Sequence, residues 1–513
     1  MNLDRLGGPL LAAAAGGAAV FGFPPAGFGV LTPAAIAVLA LMLPSRTPRR
    51  AAGLAFIFAI VMHFGGLTWI SEAFLVKMPV LGLAAFLALY FALAAYLWRR
   101  FWPGSDSASA PAFLALAALL SLGEWTMGHA LTGFPWTTVS LAVAETRLAN
   151  AAAVTGAYGV GLVVLAATLA LAGALKRTHA TGRFGMADAA AASVAATMLA
   201  AAWALPPTPG PTPAPDAAWP VIRMVQANTP QREKWRPGNQ ALIFARHMSL
   251  SIEPAERPLA AIVWPETATP FPVTESPSAM QALAEAAPEG GYMILGAPLR
   301  DPKAGGGFSY ANSMIAVAAG GGVAARYDKA HLVPGGEYVP LADILPIGGL
   351  VPGAGSFKPG TGLRTLRLEG LPAFSPLICY EVIFPNDVAR DDDRPEFLLN
   401  ITNDAWYGRS AGPFQHLAIA RLRAIEEGLP LIRVANTGIS AAFDGRGRDL
   451  GRIELDTRGF LDVALPPPEA PTVYARQGDL IYFGMVVLFL VAAFAAEVLS
   501  RRSARSEPRS PRD

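Results

Sequence analysis

The stretch Ala373-Phe374-Ser375-Pro376-Leu377-Ile378-Cys379-Tyr380-Glu381 is an apolar run that ends abruptly on a thiol and a carboxylate. A run of this length with β-branched and aromatic members predicts a buried strand, with Cys379 and Glu381 at its exit. Two further stretches have the same form. Ala261-Ile262-Val263-Trp264 runs into Pro265-Glu266-Thr267, where the proline stops the ladder and projects Glu266 from the sheet edge. Val323 to Tyr327 runs into Asp328-Lys329-Ala330-His331-Leu332.

Other short runs predict strands at 221–226, 292–296, 312–317, 396–401, 431–434 and 440–443. Helices are expected at 238–253, 277–287, 384–390 and 413–427. Strands alternating with helices, with polar residues gathered at strand ends, predict an α/β sandwich. Proline-rich segments bound it. Residues 206–220, opening Pro206-Pro207-Thr208-Pro209, and 466–479, with Pro466-Pro467-Pro468, read as stiff extended linkers. The segments delimit a domain at 221–465.

Outside these limits the composition changes. The chain has 513 residues, 53% hydrophobic and 15% charged, with a net charge of +2, and only 17 of its 78 charged residues fall in residues 1–210. Such a small net charge, thinly scattered, argues against a nucleic-acid partner. A helix crosses a bilayer with about 20 mostly apolar residues. Spans are expected near 7–24, 27–43, 52–71, 79–98, 111–128, 153–175 and 187–205, giving a seven-helix domain over 1–205. An eighth is expected at 480–499, before a basic tail at 500–513.

Basic residues fall in alternate loops: Arg46, Arg49 and Arg50; Arg99 and Arg100; Lys176, Arg177 and Arg183; and Arg501, Arg502, Arg505, Arg509 and Arg512. The positive-inside rule then places both termini in the cytoplasm and 206–479 on the far side of the membrane. Within the membrane half, Glu124 and Gly133-Phe134-Pro135-Trp136 fit either a lipid-facing cavity or an interfacial turn anchored by Trp125 and Trp136. His63 and His129 lack metal-ligand spacing and read as structural. Cys379 is the only cysteine, which excludes an intramolecular disulfide.

A base, a cation and a thiol at successive strand ends are the parts needed for covalent acyl transfer. Glu266 would take the thiol proton as general base, Lys329 would stabilise the oxyanion, and Cys379 would carry the acyl group as nucleophile. Spacing alone leaves plainer readings open: a small buried hydrophobe at Cys379, a strand cap at Glu266 and a solvated charge at Lys329.

In these motifs the sequence resembles the nitrilase (carbon–nitrogen hydrolase) superfamily, whose Glu-Lys-Cys triad matches Glu266, Lys329 and Cys379 in order. With helices on both sides of that domain, the chain as a whole is similar to the bacterial apolipoprotein N-acyltransferase family. The supporting stretches are Leu131-Thr132-Gly133-Phe134-Pro135-Trp136, Val225-Gln226-Ala227-Asn228, Trp264-Pro265-Glu266-Thr267, Lys329 through Pro340, Cys379-Tyr380-Glu381 and Arg476-Gln477-Gly478-Asp479.

The resemblance implies a nitrilase-like αββα sandwich beside about eight transmembrane helices, in a bacterial inner membrane. It implies that an acyl chain passes from a phospholipid, typically phosphatidylethanolamine, through a Cys379 thioester to the α-amine of a diacylated apolipoprotein. It also implies supporting roles for Glu337, Tyr380, Glu381 and Trp235. Where the family commonly has Phe before the final Gly, this chain has Pro334-Gly335-Gly336-Glu337, a more flexible loop.

No cofactor, no metal and a monomer are expected. Residues 341–356, apolar and rich in glycine, fit either a mobile lid contacting lipid or a packed surface loop. The nearest alternative activity is a membrane-tethered amidase or nitrilase using water as second nucleophile. Against it, a tether needs one helix, whereas lipid-anchored substrates give eight a purpose.

Overall fold

The computed structural model describes all residues except 1–2, 73–77, 104–108, 183, 205–214, 237, 304–305, 339–356, 391 and 507–513. Most of the first expected linker, the expected lid and the end of the basic tail therefore lie outside the described residues. The chain divides into two compact units. One comprises 1–68, 78–208 and 477–513, and the other 69–77 and 209–476.

The first unit is helical: α1 (Leu3–Val20), α2 (Leu31–Met42), α3 (Pro48–Gly66), α4 (Met78–Phe101), α5 (Ala110–His129), α6 (Ala152–Thr181), α7 (Met186–Ala204) and α11 (Leu480–Ser506). Among the described residues four stretches are long and apolar enough to cross a membrane: Val80–Phe101, Ala110–His129, Arg147–Thr181 and Leu480–Leu499. Gly7–Val20, Leu31–Met42 and Asp188–Ala201 are shorter apolar helices. Arg49 and Arg50 open α3 and His63 lies near its end, which lowers its apolar character below that of its neighbours.

Glu124 is buried, and its Oε1 accepts a hydrogen bond from the Val139 amide at 3.0 Å, at the first residue of the short helix Val139–Ala142. Trp125 donates from Nε1 to Asp479 Oδ2 at 2.7 Å, and Trp136 is fully buried. His63 Nδ1 lies 2.6 Å from Thr137 Oγ1, a structural bond.

The second unit is a four-layer sandwich. Its strands are β1 (Val221–Gln226), β2 (Leu259–Val263), β3 (Tyr292–Pro302), β4 (Phe308–Ala318), β5 (Val323–Asp328), β6 (Leu366–Leu368), β7 (Leu371–Ile378), β8 (Phe397–Thr402), β9 (Leu431–Ala435), β10 (Ser440–Phe443), β11 (Asp449–Ile453) and β12 (Gly459–Ala464). They form two six-stranded sheets, β12-β1-β2-β3-β4-β5 and β11-β10-β9-β8-β7-β6. The inner faces meet in one apolar core: Met224, Val263, Ile294 and Met314 from the first sheet, Phe374, Phe397, Ile401 and Val434 from the second.

Helices α8 (Gln240–Ser251) and α9 (Pro277–Ala286) belong to the first sheet's outer side, where Leu283 joins a second core with Trp264, Leu295 and Ile315. Helix α10 (Gly412–Glu427) packs on the other sheet. β1, β2 and β3 run parallel, as do β7, β8 and β9. Two sheets that are each buried on both faces explain the near-continuous apolar runs of β2, β7 and β8.

The helix expected at 384–390 is not formed. A 3-10 turn, Cys379–Ile383, takes its place immediately after β7, and Pro385 followed by Asn386 at φ +62 prevents continuation as α-helix.

Candidate active site

The three strand exits converge. Glu266 leaves β2 behind Pro265 and is 5% exposed. Its backbone passes so close to β3 that a Cβ at Gly296 would lie 2.6 Å from the Glu266 Cα, so only glycine fits there. Thr267, next in the chain, has φ +46, a left-handed conformation for a β-branched residue. Lys234 steadies this turn: its Nζ donates to Thr267 Oγ1 at 3.0 Å and to the Glu266 carbonyl at 3.4 Å. Burial pulls the Lys234 ammonium down to a pKa of about 7, although the charge on Glu266 opposes the shift.

The Glu266 carboxylate is held at both oxygens. Oε1 accepts from Asn312 Nδ2 at 2.6 Å, and Oε2 accepts from the Asn403 amide at 2.8 Å. Lys329, 1% exposed, follows β5, and its amide donates to the Asn312 carbonyl at 2.8 Å. Its Nζ stands 2.8 Å from Glu337 Oε2 and 3.7 Å from Glu266 Oε1. Burial acts to lower the Lys329 pKa, but Glu337 and Glu266 together with the thiol outweigh it and raise the net value, so the amine stays cationic.

Cys379 is 6% exposed and takes φ +54 at the head of the 3-10 turn. Holding a non-glycine residue there costs about 1–3 kcal/mol, and such strain persists where surrounding contacts impose it. Burial, and next the charge of Glu266, push the thiol pKa up to about 12. Lys329 and a hydrogen bond from Thr402 pull the other way. The thiol is therefore neutral at rest, under the opposing charges of Glu266 and Lys329.

The supporting residues divide into those at the site and one apart. Glu337 belongs to the charged cluster: besides pairing with Lys329, it accepts from Asn312 Nδ2 at 2.8 Å and from the Val333 amide at 2.8 Å. Glu381 is buried and ties the Cys379 turn to the Lys329 loop. Its Oε1 accepts from the Tyr327 hydroxyl at 2.8 Å and from the amides of Ala330 and His331, and its Oε2 from the Ile378 amide at 2.7 Å. Burial lifts its pKa to about 7 against the pull of those donors. Tyr380, also buried, packs edge-on against Phe384 and His331. Trp235 is 52% exposed at the end of the short helix Gln231–Lys234; its buried neighbour Lys234 is the side chain that reaches the Glu266 turn.

Two residues at the site carried no sequence signal. Asn312 lies inside β4 and donates to both Glu266 and Glu337, so it fixes the separation of two carboxylates that share one lysine. Tyr407 follows β8, and its hydroxyl lies 4.0 Å from the Cys379 Sγ, with Trp69 edge-on to its ring at 4.4 Å. Among the described residues no group of three or more His, Cys, Asp or Glu is arranged to hold a metal ion.

A carboxylate, an ammonium and a strained thiol in a dry site can exchange a proton and stabilise a developing oxyanion without further groups. Comparison with known proteins places the chain among its relatives. The carbon–nitrogen hydrolase family matches residues 221–473, and the apolipoprotein N-acyltransferase N-terminal domain matches residues 15–170. A relative from Rhodopseudomonas palustris, called apolipoprotein N-acyltransferase, is 37% identical over 452 residues, 83% of this chain and 82% of its own length. One of the same name from Allorhizobium ampelinum is 35% identical over 512 residues, 94% of each chain. Among solved structures, an amidase from Nesterenkonia sp. covers 52% of this chain and 96% of its own, at 19% identity and a TM-score of 0.38.

Proposed function

Because the chain belongs to the apolipoprotein N-acyltransferase family, we propose that Cys379 carries the acyl chain between its two substrates, with Glu266 moving the protons and Lys329 stabilising the oxyanions. The protein is an acyltransferase of lipoprotein maturation in a bacterial membrane, acting on lipid and lipoprotein substrates. The observation that supports this assignment of roles best is the Lys329 ammonium set 3.7 Å from Glu266, beside a thiol whose proton burial holds in place.

In the first half-reaction the Glu266 carboxylate takes the Sγ proton as sulfur attacks the sn-1 ester carbonyl of a phospholipid. The carbonyl π electrons move to oxygen, and the resulting oxyanion is neutralised by Lys329. On collapse the ester C–O bond breaks, and Glu266 returns the proton to the departing alkoxide, releasing a lysophospholipid. In the second half-reaction the α-amine of the diacylglyceryl cysteine attacks the thioester carbonyl. Glu266 takes an amine proton, the C–S bond breaks, and the proton returns to sulfur. A thioester retains acylating power, so one site can serve two bulky substrates in turn.

Glu337, through its 2.8 Å contact with Lys329, keeps the ammonium in place while Glu266 changes charge. Glu381 secures the turn that presents the thiol, and Tyr380 lines its approach. Trp235, exposed beyond the Lys234 turn, would meet substrate.

The reading extends to phosphatidylethanolamine as donor and to eight membrane-crossing helices with both termini cytoplasmic. It further assigns a catalytic domain over 221–465 facing the periplasm, linkers at 206–220 and 466–479, and action as a monomer. The alternation of basic loops supports the topology. The test uses purified full-length protein in detergent with labelled phosphatidylethanolamine and a diacylated lipopeptide. Acyl transfer to the lipopeptide α-amine is expected, whereas release of free fatty acid as sole product would point to a hydrolase.

A further inference from the structure

Around the Cys379 backbone lies a group of polar side chains to which the acyl-transfer steps give no role. Asn400 on β8, Asp404 in the following turn, His416 on α10 and Arg433 on β9 are all fully buried. Arg433 Nη2 donates to Asp404 Oδ2 at 2.7 Å and stands 3.0 Å from His416 Nδ1, while its Nη1 donates to Asn400 Oδ1. Asp404 Oδ1 accepts from the Thr402 hydroxyl at 2.9 Å and lies 3.1 Å from His416 Nδ1.

Two donors from this group end on one atom of the nucleophile. His416 Nε2 is 3.3 Å from the Cys379 carbonyl oxygen, and Asn400 Nδ2 is 3.5 Å from it while also donating to the Leu377 carbonyl at 3.1 Å.

The guanidinium touches both donors. His416 Nδ1 sits between a donor, Arg433 Nη2 at 3.0 Å, and an acceptor, Asp404 Oδ1 at 3.1 Å, while Nε2 faces the Cys379 carbonyl, which can only accept, so a ring proton on Nε2 is what makes that contact a hydrogen bond. The opposite tautomer would aim a lone pair at a carbonyl oxygen. Burial, followed by the Arg433 charge, lowers the His416 pKa, in keeping with a neutral ring. The same guanidinium, by donating to Asn400 Oδ1, turns the Asn400 amide so that its NH2 faces Leu377 and Cys379. Burying an arginine and an aspartate is costly in itself, and the residue that feels their arrangement is a cysteine at φ +54.

We propose that Arg433 is the keystone of a clamp in which His416 and Asn400 grip the Cys379 carbonyl and so hold the nucleophile in the left-handed conformation that aims its thiol. These are positioning residues, acting through the Cys379 backbone and not on substrate. The proposal rests on the assignment of Cys379 as acyl carrier. A clamp of this kind affects the rate of thioester formation and leaves phospholipid binding alone, because His416 and Asn400 reach the nucleophile through its backbone carbonyl.

The test follows neutral-hydroxylamine-sensitive labelling of the full chain in detergent by labelled phosphatidylethanolamine, at several lipid concentrations, to separate kcat from KM. His416→Leu removes the donor, and His416→Gln offers an amide N–H at similar reach. The expected result for His416→Leu is a kcat lowered about 10- to 100-fold with KM unchanged, the scale of a nucleophile misplaced by about 1 Å. His416→Gln should recover most of that loss.

A His416→Leu protein that keeps the wild-type kcat, or a His416→Gln protein that falls as far as His416→Leu, overturns the clamp. If His416→Leu does not yield folded protein by its thermal unfolding, Asn400→Ala serves instead. A several-fold lower kcat at unchanged KM supports the clamp, and a wild-type kcat overturns it. Failure of the wild-type enzyme to label at all would count against Cys379 as acyl carrier, a separate outcome from either.

Discussion

Replacing Glu266 with glutamine should convert a pH-insensitive acylation into a slow one that depends steeply on pH. The Cys379 thiol, pushed up to about 12 chiefly by burial, is almost wholly protonated at neutral pH. Without a base to take its proton during attack, the enzyme must rely on the small ionised fraction. Positioned general bases contribute roughly 10²- to 10⁴-fold, and the loss should fall in that range at pH of about 7. Glutamine has the shape of glutamate but also removes the charge that helps raise the thiol pKa. Burial, the larger cause, remains, so the residual rate should climb close to tenfold per pH unit from about pH 7 to 9.

The assay is the initial rate of hydroxylamine-sensitive labelling of the purified variant with labelled phosphatidylethanolamine, compared with wild type across that range. Labelling by Glu266→Gln within tenfold of wild type at neutral pH, or a residual rate flat with pH, would refute the reasoning. Either result would mean that the thiol loses its proton by another route.

Other expected outcomes address neighbouring contacts. Glu337→Gln should lower kcat for thioester formation by roughly tenfold or more, since Lys329 loses its 2.8 Å partner and is left to pair with the base; stopped-time labelling measures it. Asn312→Ala should impair the same step, because two carboxylates 2.6 and 2.8 Å from its amide lose a shared donor, and lipid KM should be little changed. Gly296→Ala forces a Cβ to within 2.6 Å of the Glu266 Cα, an overpacking worth about 1–3 kcal/mol that should appear as a lower unfolding temperature together with lost labelling.

Lys234 gives a stability signature. Its pKa is lowered from 10.5 unfolded to about 7 folded, so between these values the unfolded chain holds more protons and folded stability rises with pH. Lys234→Met should abolish that rise in thermal unfolding profiles between about pH 7 and 10.

The legibility of this chain follows from where polarity interrupts hydrophobic runs. β2 and β7 are buried on both faces, so their sequences are almost unbroken apolar stretches, and the first polar residues beyond them, Glu266 and Cys379, stand out. Asn312 did not, because it sits within β4 between Ala311 and Ser313, where an asparagine reads as an ordinary interruption of a strand. Its importance depends on β4 lying beside β5, and on Glu266 and Glu337 both meeting it from distant parts of the chain.

β6, β11 and β12 were missed for a different reason. They lie at sheet edges, where Arg367, Asp449, Arg452 and Asp462 break the apolar pattern that marks interior strands. The apolar and aromatic residues around Pro385 give no periodicity to choose by, so the sequence predicts a helix at 384–390 where the chain instead makes its turn just before, at Cys379–Ile383. Trp235 enters through the family resemblance, which says nothing of Lys234 beside it. The sequence offers two prominent side chains in adjacent positions, and only packing shows that the lysine turns inward. His416, Asn400 and Arg433 could not be linked in advance, since they come from α10, β8 and β9 and meet only when two parallel strands and a helix are stacked.

Acyl transfer through Cys379 requires a covalent bond at one atom, its Sγ. Wild-type protein incubated with labelled phosphatidylethanolamine, digested and analysed by mass spectrometry should carry a single fatty acyl group on the peptide containing Cys379. Neutral hydroxylamine should remove that group, a diacylated lipopeptide should discharge it, and it should be absent from Cys379→Ser treated identically. An acyl group found on another residue, or retained in Cys379→Ser, or no acyl group on a wild-type enzyme that still transfers acyl chains, would contradict it.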